Sequence, residues 1–182
     1  SYANIMTMLH YFVNNPDVPH VNIHVAFTPD EEIGGGIDYM DVKGFNCDFA
    51  YTVDGGNPFE INYENFNAAS ATVNIKGLDI HPGSAKGQMI NASLVAMEFN
   101  ELLPINERPE FTDRYDGFNH LTSMEGVCGE AKLTYILRNH DINLLNRQKN
   151  DFYNAKEFIN KKYGKGTCEI ELKDSYLNMK EL

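Results

Sequence analysis

Two adjacent glutamates, Glu31 and Glu32, follow one apolar run, and an aspartate, Asp54, follows the next. Crowded carboxylates repel one another unless a cation sits among them, so three acids gathered at one point make a candidate divalent-metal centre. In such a centre one glutamate ligates the metal and its neighbour takes a proton from an attacking water. The competing reading makes Glu31 and Glu32 ordinary surface acids in a turn. The glycines Gly34 to Gly36 and Gly55-Gly56 give both acidic segments the freedom to turn their side chains inward.

The elements that would position these acids are legible. Ala3, Ile5, Met6, Leu9 and Phe12 are spaced like one helix face, ended by Asn14, Asn15 and Pro16. Val21 to Phe27 alternates like a strand and runs into Thr28-Pro29-Asp30-Glu31-Glu32. A short helical stretch lies near Ile37 to Val42, and Phe49 to Val53 reads as a second strand ending at Asp54. A strand–helix–strand crossover predicts parallel neighbours, and sites in open α/β sheets form at the C-terminal ends of such strands.

The pattern changes from about Phe59, and a domain boundary is expected near residue 66. Ile61 to Lys76 is rich in alternating and β-branched residues, and Met89 to Leu103 is amphipathic and stopped by Pro104. Strands are expected near Phe118 to Met124, Ala131 to Arg138 and Cys168 to Leu172. Asp141 to Tyr163 reads as a long helix that Asp141 can cap. This order predicts a four-stranded antiparallel sheet with two helices on one face. The fold class is therefore α/β, with a partial parallel-sheet domain over residues 1–65, an α+β domain over 66–175 and a return segment over 176–182.

Composition excludes several partners. The 182 residues carry 26 Asp+Glu against 15 Lys+Arg, so a polyphosphate is repelled and nucleic-acid binding is disfavoured. No apolar run approaches the ~20 residues that span a bilayer, so no membrane partner is expected. Cys47, Cys128 and Cys168 are odd in number and widely spaced, which fits idle thiols in a reducing cytoplasm.

Phe27-Thr28-Pro29-Asp30-Glu31-Glu32-Ile33-Gly34 and Tyr51-Thr52-Val53-Asp54-Gly55-Gly56 resemble the metal-site segments of the tripeptide-aminopeptidase branch of the aminoacylase/carboxypeptidase family of dinuclear zinc hydrolases. The likeness continues through Tyr63 to Ser70, His81 to Gly87, Asn91-Ala92, Tyr135 to Arg138 and Asp174 to Met179. The resemblance implies two zinc ions, a short-peptide substrate, Glu31 as general base, and Glu32 and Asp54 as ligands of separate zincs. It also implies three substrate-binding residues in a lid domain. His81 serves the substrate or the developing oxyanion, Asn91 the substrate carbonyl, and Arg138 a substrate carboxylate. In dimeric relatives the lid histidine reaches the partner's site, so a homodimer through the lid is expected. Without the resemblance, His81 is a turn residue before Pro82-Gly83 and Arg138 a surface or ion-pairing residue.

The family pattern further requires a His-x-Asp segment, a bridging Asp and a late His. No His-x-Asp occurs in this sequence. The chain is thus expected to be the central part of a longer enzyme, unable to hydrolyse peptides by itself. The rival readings are a dipeptidase or N-acyl amino-acid deacylase of the same family, and a non-catalytic lid or dimerisation module.

Overall fold

The structure is a computed structural model that describes residues 2–30, 32, 35–54, 56–57 and 59–181, without the Glu181 side chain. Its contacts divide the chain into two compact units, Ser1–Ile61 and Asn62–Leu182.

The first unit holds helix α1 (Tyr2–Asn14) and the single-turn helix α2 (Val42–Phe45). Asp41 caps α2, accepting the Gly44 N–H at 2.9 Å. His24 contacts the Phe45 carbonyl through Nδ1 at 2.6 Å, a structural tie within this unit. The expected strands at 21–27 and 49–53 do not pair; no ladder joins them among the described residues. The physical reason lies in burial. Parallel strands need both faces covered, and no described residue of 2–61 is buried. The short helix also begins at Val42 rather than near Ile37, because Asp41 supplies the cap.

The second unit has the expected architecture. Strands β1 (Asn67–Lys76), β2 (Phe118–Gly126), β3 (Glu130–Asn139) and β4 (Cys168–Tyr176) form one antiparallel sheet in the order β2-β3-β1-β4. Helices α3 (Ala92–Leu102) and α4 (Ile142–Tyr163) cover one face. Odd-numbered residues supply that face: Ala69, Ala71, Val73 and Ile75 from β1 stand opposite Leu137, Tyr135, Leu133 and Ala131 of β3. Val95, Ala96 and Phe99 of α3 and Leu145, Phe152 and Ile159 of α4 close over them. Asp141 caps α4 by accepting the N–H groups of Asn143 and Leu144. Glu98 of α3 ties the helices together through Lys162 Nζ and the Tyr163 hydroxyl, each at 2.6 Å.

The even-numbered face of the sheet, which includes Ser70, Thr72 and Arg138, is the one that α3 and α4 leave open. At one end of the sheet, Gly77 passes against the Cys128 and Ile90 carbonyls, where a Cβ would overlap both. At the other end, residues 62–67 enter and residues 176–181 leave. Asn65, Asn67 and Asn178 lace them together: Asn67 Oδ1 accepts the Asn178 N–H at 2.8 Å, and Asn65 Oδ1 accepts the Met179 N–H at 2.7 Å. Asn178 Oδ1 accepts the Asn65 N–H at 3.2 Å.

Candidate functional site

The acidic segments belong to the first unit. Glu31 lies outside the described residues. Asp30 adopts a positive φ of 61°, and its carbonyl accepts the Gly35 N–H at 3.2 Å. Glu32 and Asp54 are both exposed, and Asp54 has a further interaction of its own. Among the described residues no group of three His, Cys, Asp or Glu side chains is gathered that could hold a metal ion. Zinc ordinarily takes four ligands with histidine prominent among them. The described donors of this chain, two carboxylates, do not make that site.

The substrate-binding candidates belong to the second unit and fall into two groups. His81 and Asn91 flank a loop at the β2–β3 turn end of the sheet. Leu78 and Ile90 bridge the base of that loop, and the Ala92 N–H donates to the Cys128 carbonyl at 2.8 Å. His81 is exposed, and its Nδ1 accepts the Gly83 N–H at 3.2 Å. A neutral imidazole that accepts at Nδ1 carries its proton on Nε2, so His81 offers a donor to solvent. Asn91 caps α3, with Oδ1 accepting the Leu94 N–H at 3.3 Å. Its Nδ2 group keeps its donors.

Arg138 stands at the opposite end. It pairs with Ala68, at the start of β1, whereas the His81 loop follows Lys76 at the far end of the strand. The eight residues between those rows span about 27 Å at the rise of an antiparallel strand. Within one chain the structure therefore does not gather His81 with Arg138. Arg138 is half-buried on the open face. Its Nη1 donates to the Leu137 carbonyl at 2.9 Å and the Ala69 carbonyl at 3.3 Å. Its guanidinium carbon lies 5.4 Å from the centre of the Tyr176 ring. No carboxylate of a described residue lies within ion-pair distance of it.

Beside the asparagine lacing, Glu64 faces His140 Nδ1 at 3.9 Å and Lys180 at 3.4 Å. Burial pushes its carboxyl up, but hydrogen bonds from Tyr115, Lys180 and Asn178 outweigh that and hold it below the ordinary value. Two of the three thiols are held protonated and so are poor nucleophiles. Burial pushes Cys168 up to about 12, and burial together with Asp79 raises Cys128.

Three residues of this unit are given no role by the sequence reading. Tyr176 reaches Arg138 only through a β-bulge, which leaves no mark in the residue pattern. Asn67 and Asn178 meet from segments far apart in the chain, and only the density of asparagines near both hints at them.

An open antiparallel sheet with two helices on one face, and with both ends of the unit meeting at one end of the strands, is the architecture of an inserted α+β domain. Residues 63–166 match the family model described as the peptidase dimerisation domain, and the chain belongs to that family. It is 50% identical over 180 residues to a peptidase T of Caldanaerobacter subterraneus, covering 99% of this chain and 44% of the relative. It is 51% identical to a peptidase T of Clostridium perfringens with the same coverage. The chain thus spans 44% of the length of the curated relatives it matches. Its fold is like that of the crystal structure of an aminopeptidase PepT from Bacillus cereus. There the TM-score is 0.78 at 21% identity, over 91% of this chain and 45% of that one. A tripeptidase structure from Staphylococcus aureus gives a TM-score of 0.76 at 17% identity, with the same coverage.

Proposed function

We propose that this chain is the lid-bearing part of a zinc-dependent aminopeptidase that releases the N-terminal residue of short peptides, tripeptides above all. The observation that carries the reading is the 50% identity to peptidase T, which runs through 99% of the chain and so through both acidic segments. In this proposal residues 1–65 are part of the catalytic domain, 66–175 the lid and 176–182 the return to the catalytic domain. Glu32 and Asp54 would each ligate one of two zinc ions, with the remaining ligands supplied elsewhere in the full-length protein. When bound, the zinc ions supply charge that polarises a carbonyl.

The roles of the chain's own residues follow from their chemistry. Glu31 accepts a proton from the attacking water and returns it to the leaving amine. The Nε2–H of His81 donates to the oxyanion. The Nδ2 group of Asn91 donates to a substrate carbonyl. Arg138 binds the C-terminal carboxylate, which limits substrate length by geometry. Because His81 and Arg138 lie at opposite sheet ends, His81 serves the site of a second copy. The exposed edge of β2, with Leu94 and Met97 of α3 and Val127 exposed, is the proposed homodimer surface. A cytoplasmic location fits the free thiols.

The test is a substrate panel on the full-length gene product, with metal content measured alongside. A tripeptidase rate that depends on zinc and disappears in Glu31→Gln is expected. Preference for dipeptides or N-acyl amino acids would move the assignment to a sister activity. A zinc-free, inactive full-length protein that self-associates would make the domain a binding module.

A further inference from the structure

We propose that Tyr176 is a positioning residue that holds the Arg138 guanidinium in place for a substrate carboxylate. The inference rests on the reading of Arg138 as the carboxylate-binding group.

The argument begins with strand register. β1 pairs with β4 residue for residue from Ile75↔Cys168 down to Ala69↔Asp174, and the next pair is Ala68↔Tyr176. Ser175 is therefore an extra residue without a partner in the ladder. Such a bulge turns the following side chain to the other face of the sheet. Asp174 falls in the row of Ala69, on the helix side, where it pairs with Lys149 of α4. Tyr176 falls in the row of Ala68, which is also the row of Arg138. One cross-strand row on the open face thus reads Arg138, Ala68, Tyr176.

Ala68 makes their contact feasible. The outer strands of a three-strand row stand about 10 Å apart, too far for direct contact between short side chains. The methyl between them leaves room for the guanidinium and the ring to meet over it, and Ala68 is 1% exposed without belonging to the helix-side core. The ring face attracts the cation, while the Nη1 bonds to the Leu137 and Ala69 carbonyls fix the near edge of the fork. Of the five guanidinium N–H donors, the three on Nε and Nη2 meet no acceptor among the described residues. Two of those three, the Nε–H and one Nη2–H, lie along the edge that grips a carboxylate in a paired fashion. Tyr176 therefore sets where that edge points, and its aromatic face rather than its hydroxyl supplies the hold.

The experiment compares a free tripeptide with its C-terminal amide in the full-length peptidase. The control is Arg138→Ala. If it raises KM for both substrates alike, the carboxylate reading of Arg138 fails whatever Tyr176 does. If it acts on the free acid alone, Tyr176 is tested on firm ground. Tyr176→Phe is expected to stay within about two-fold of wild type. Tyr176→Leu is expected to raise KM for the free acid about three- to ten-fold and to leave kcat and the amide unchanged. Wild-type behaviour of Tyr176→Leu, or an equal effect on both substrates, overturns the proposal. Should the leucine variant fail to fold, NMR relaxation of the Arg138 Nε–H in the wild-type chain decides. A restricted side chain on the ps–ns timescale supports the hold by Tyr176, and one as free as a solvated arginine overturns it.

Discussion

The side-chain oxygen of Asn67 accepts the backbone N–H of Asn178 at 2.8 Å, although 111 residues separate them. Asn67 Nδ2 also donates to the His140 carbonyl at 2.9 Å and the Asn139 carbonyl at 3.2 Å. Both asparagines are buried. Asn67→Ala strands one donor and weakens two acceptors at once. It is expected to lower stability by about 1–3 kcal/mol, read as a shifted urea midpoint. A double mutant with Asn178→Ala is expected to cost less than the sum of the two single variants, since they act in one network.

Gly83 limits how His81 can sit. A Cβ at that position would stand 3.2 Å from Nδ1 and 3.3 Å from Cε1 of the ring. Gly83→Ala is therefore expected to push the imidazole off the N–H that fixes its tautomer. In the full-length peptidase the expected consequence is a fall in kcat of about ten-fold or more. In the chain itself, the 15N shifts of His81 report whether the Nε2–H form is lost.

Glu98 gives the second unit a defined acid sensitivity. Hydrogen bonds from Lys162 and Tyr163 hold its carboxyl below the ordinary value of 4.5. A carboxyl depressed in the folded state contributes stability that is complete above its unfolded value. That contribution is lost as pH falls through the folded value. Wild type is therefore expected to lose stability below about pH 4.5 partly through Glu98, and Glu98→Gln to lack that component. Urea midpoints of the two proteins should differ at pH 7 and draw together as the pH falls below 4.5.

The β2 edge predicts association. Val127 is 63% exposed at the hairpin turn, and Leu94 is 61% exposed on α3. Replacing both by glutamate puts like charges face to face in a symmetric contact. The expected outcome is a shift from dimer to monomer in sedimentation velocity, with the thermal midpoint of the monomer little changed. An unchanged dimer would place the contact elsewhere.

The second unit was legible because its signals are local. Asp141, Pro104 and Gly164 punctuate the helices, and the alternation of Ala69, Ala71, Val73 and Ile75 marks a half-buried strand. The first unit was less so. Alternation from Val21 to Phe27 says that a strand can form, but not that anything covers its faces, and the structure buries none of it. Among the site residues, Asn91 shows two demands on one side chain, since its oxygen is used by the helix start and only its nitrogen remains for a ligand. The partnership of Arg138 with Tyr176 was out of reach, because a single unpaired serine decides which face the tyrosine takes.

The stitching of residues 65–67 to 178–179 has an architectural consequence. A module whose two ends emerge side by side and are fastened to each other asks of any host protein only a gap the width of a tight turn. Residues 62–181 have the form of a cassette that could be spliced into an unrelated loop, or excised and replaced by a few glycines, with no register change in the host.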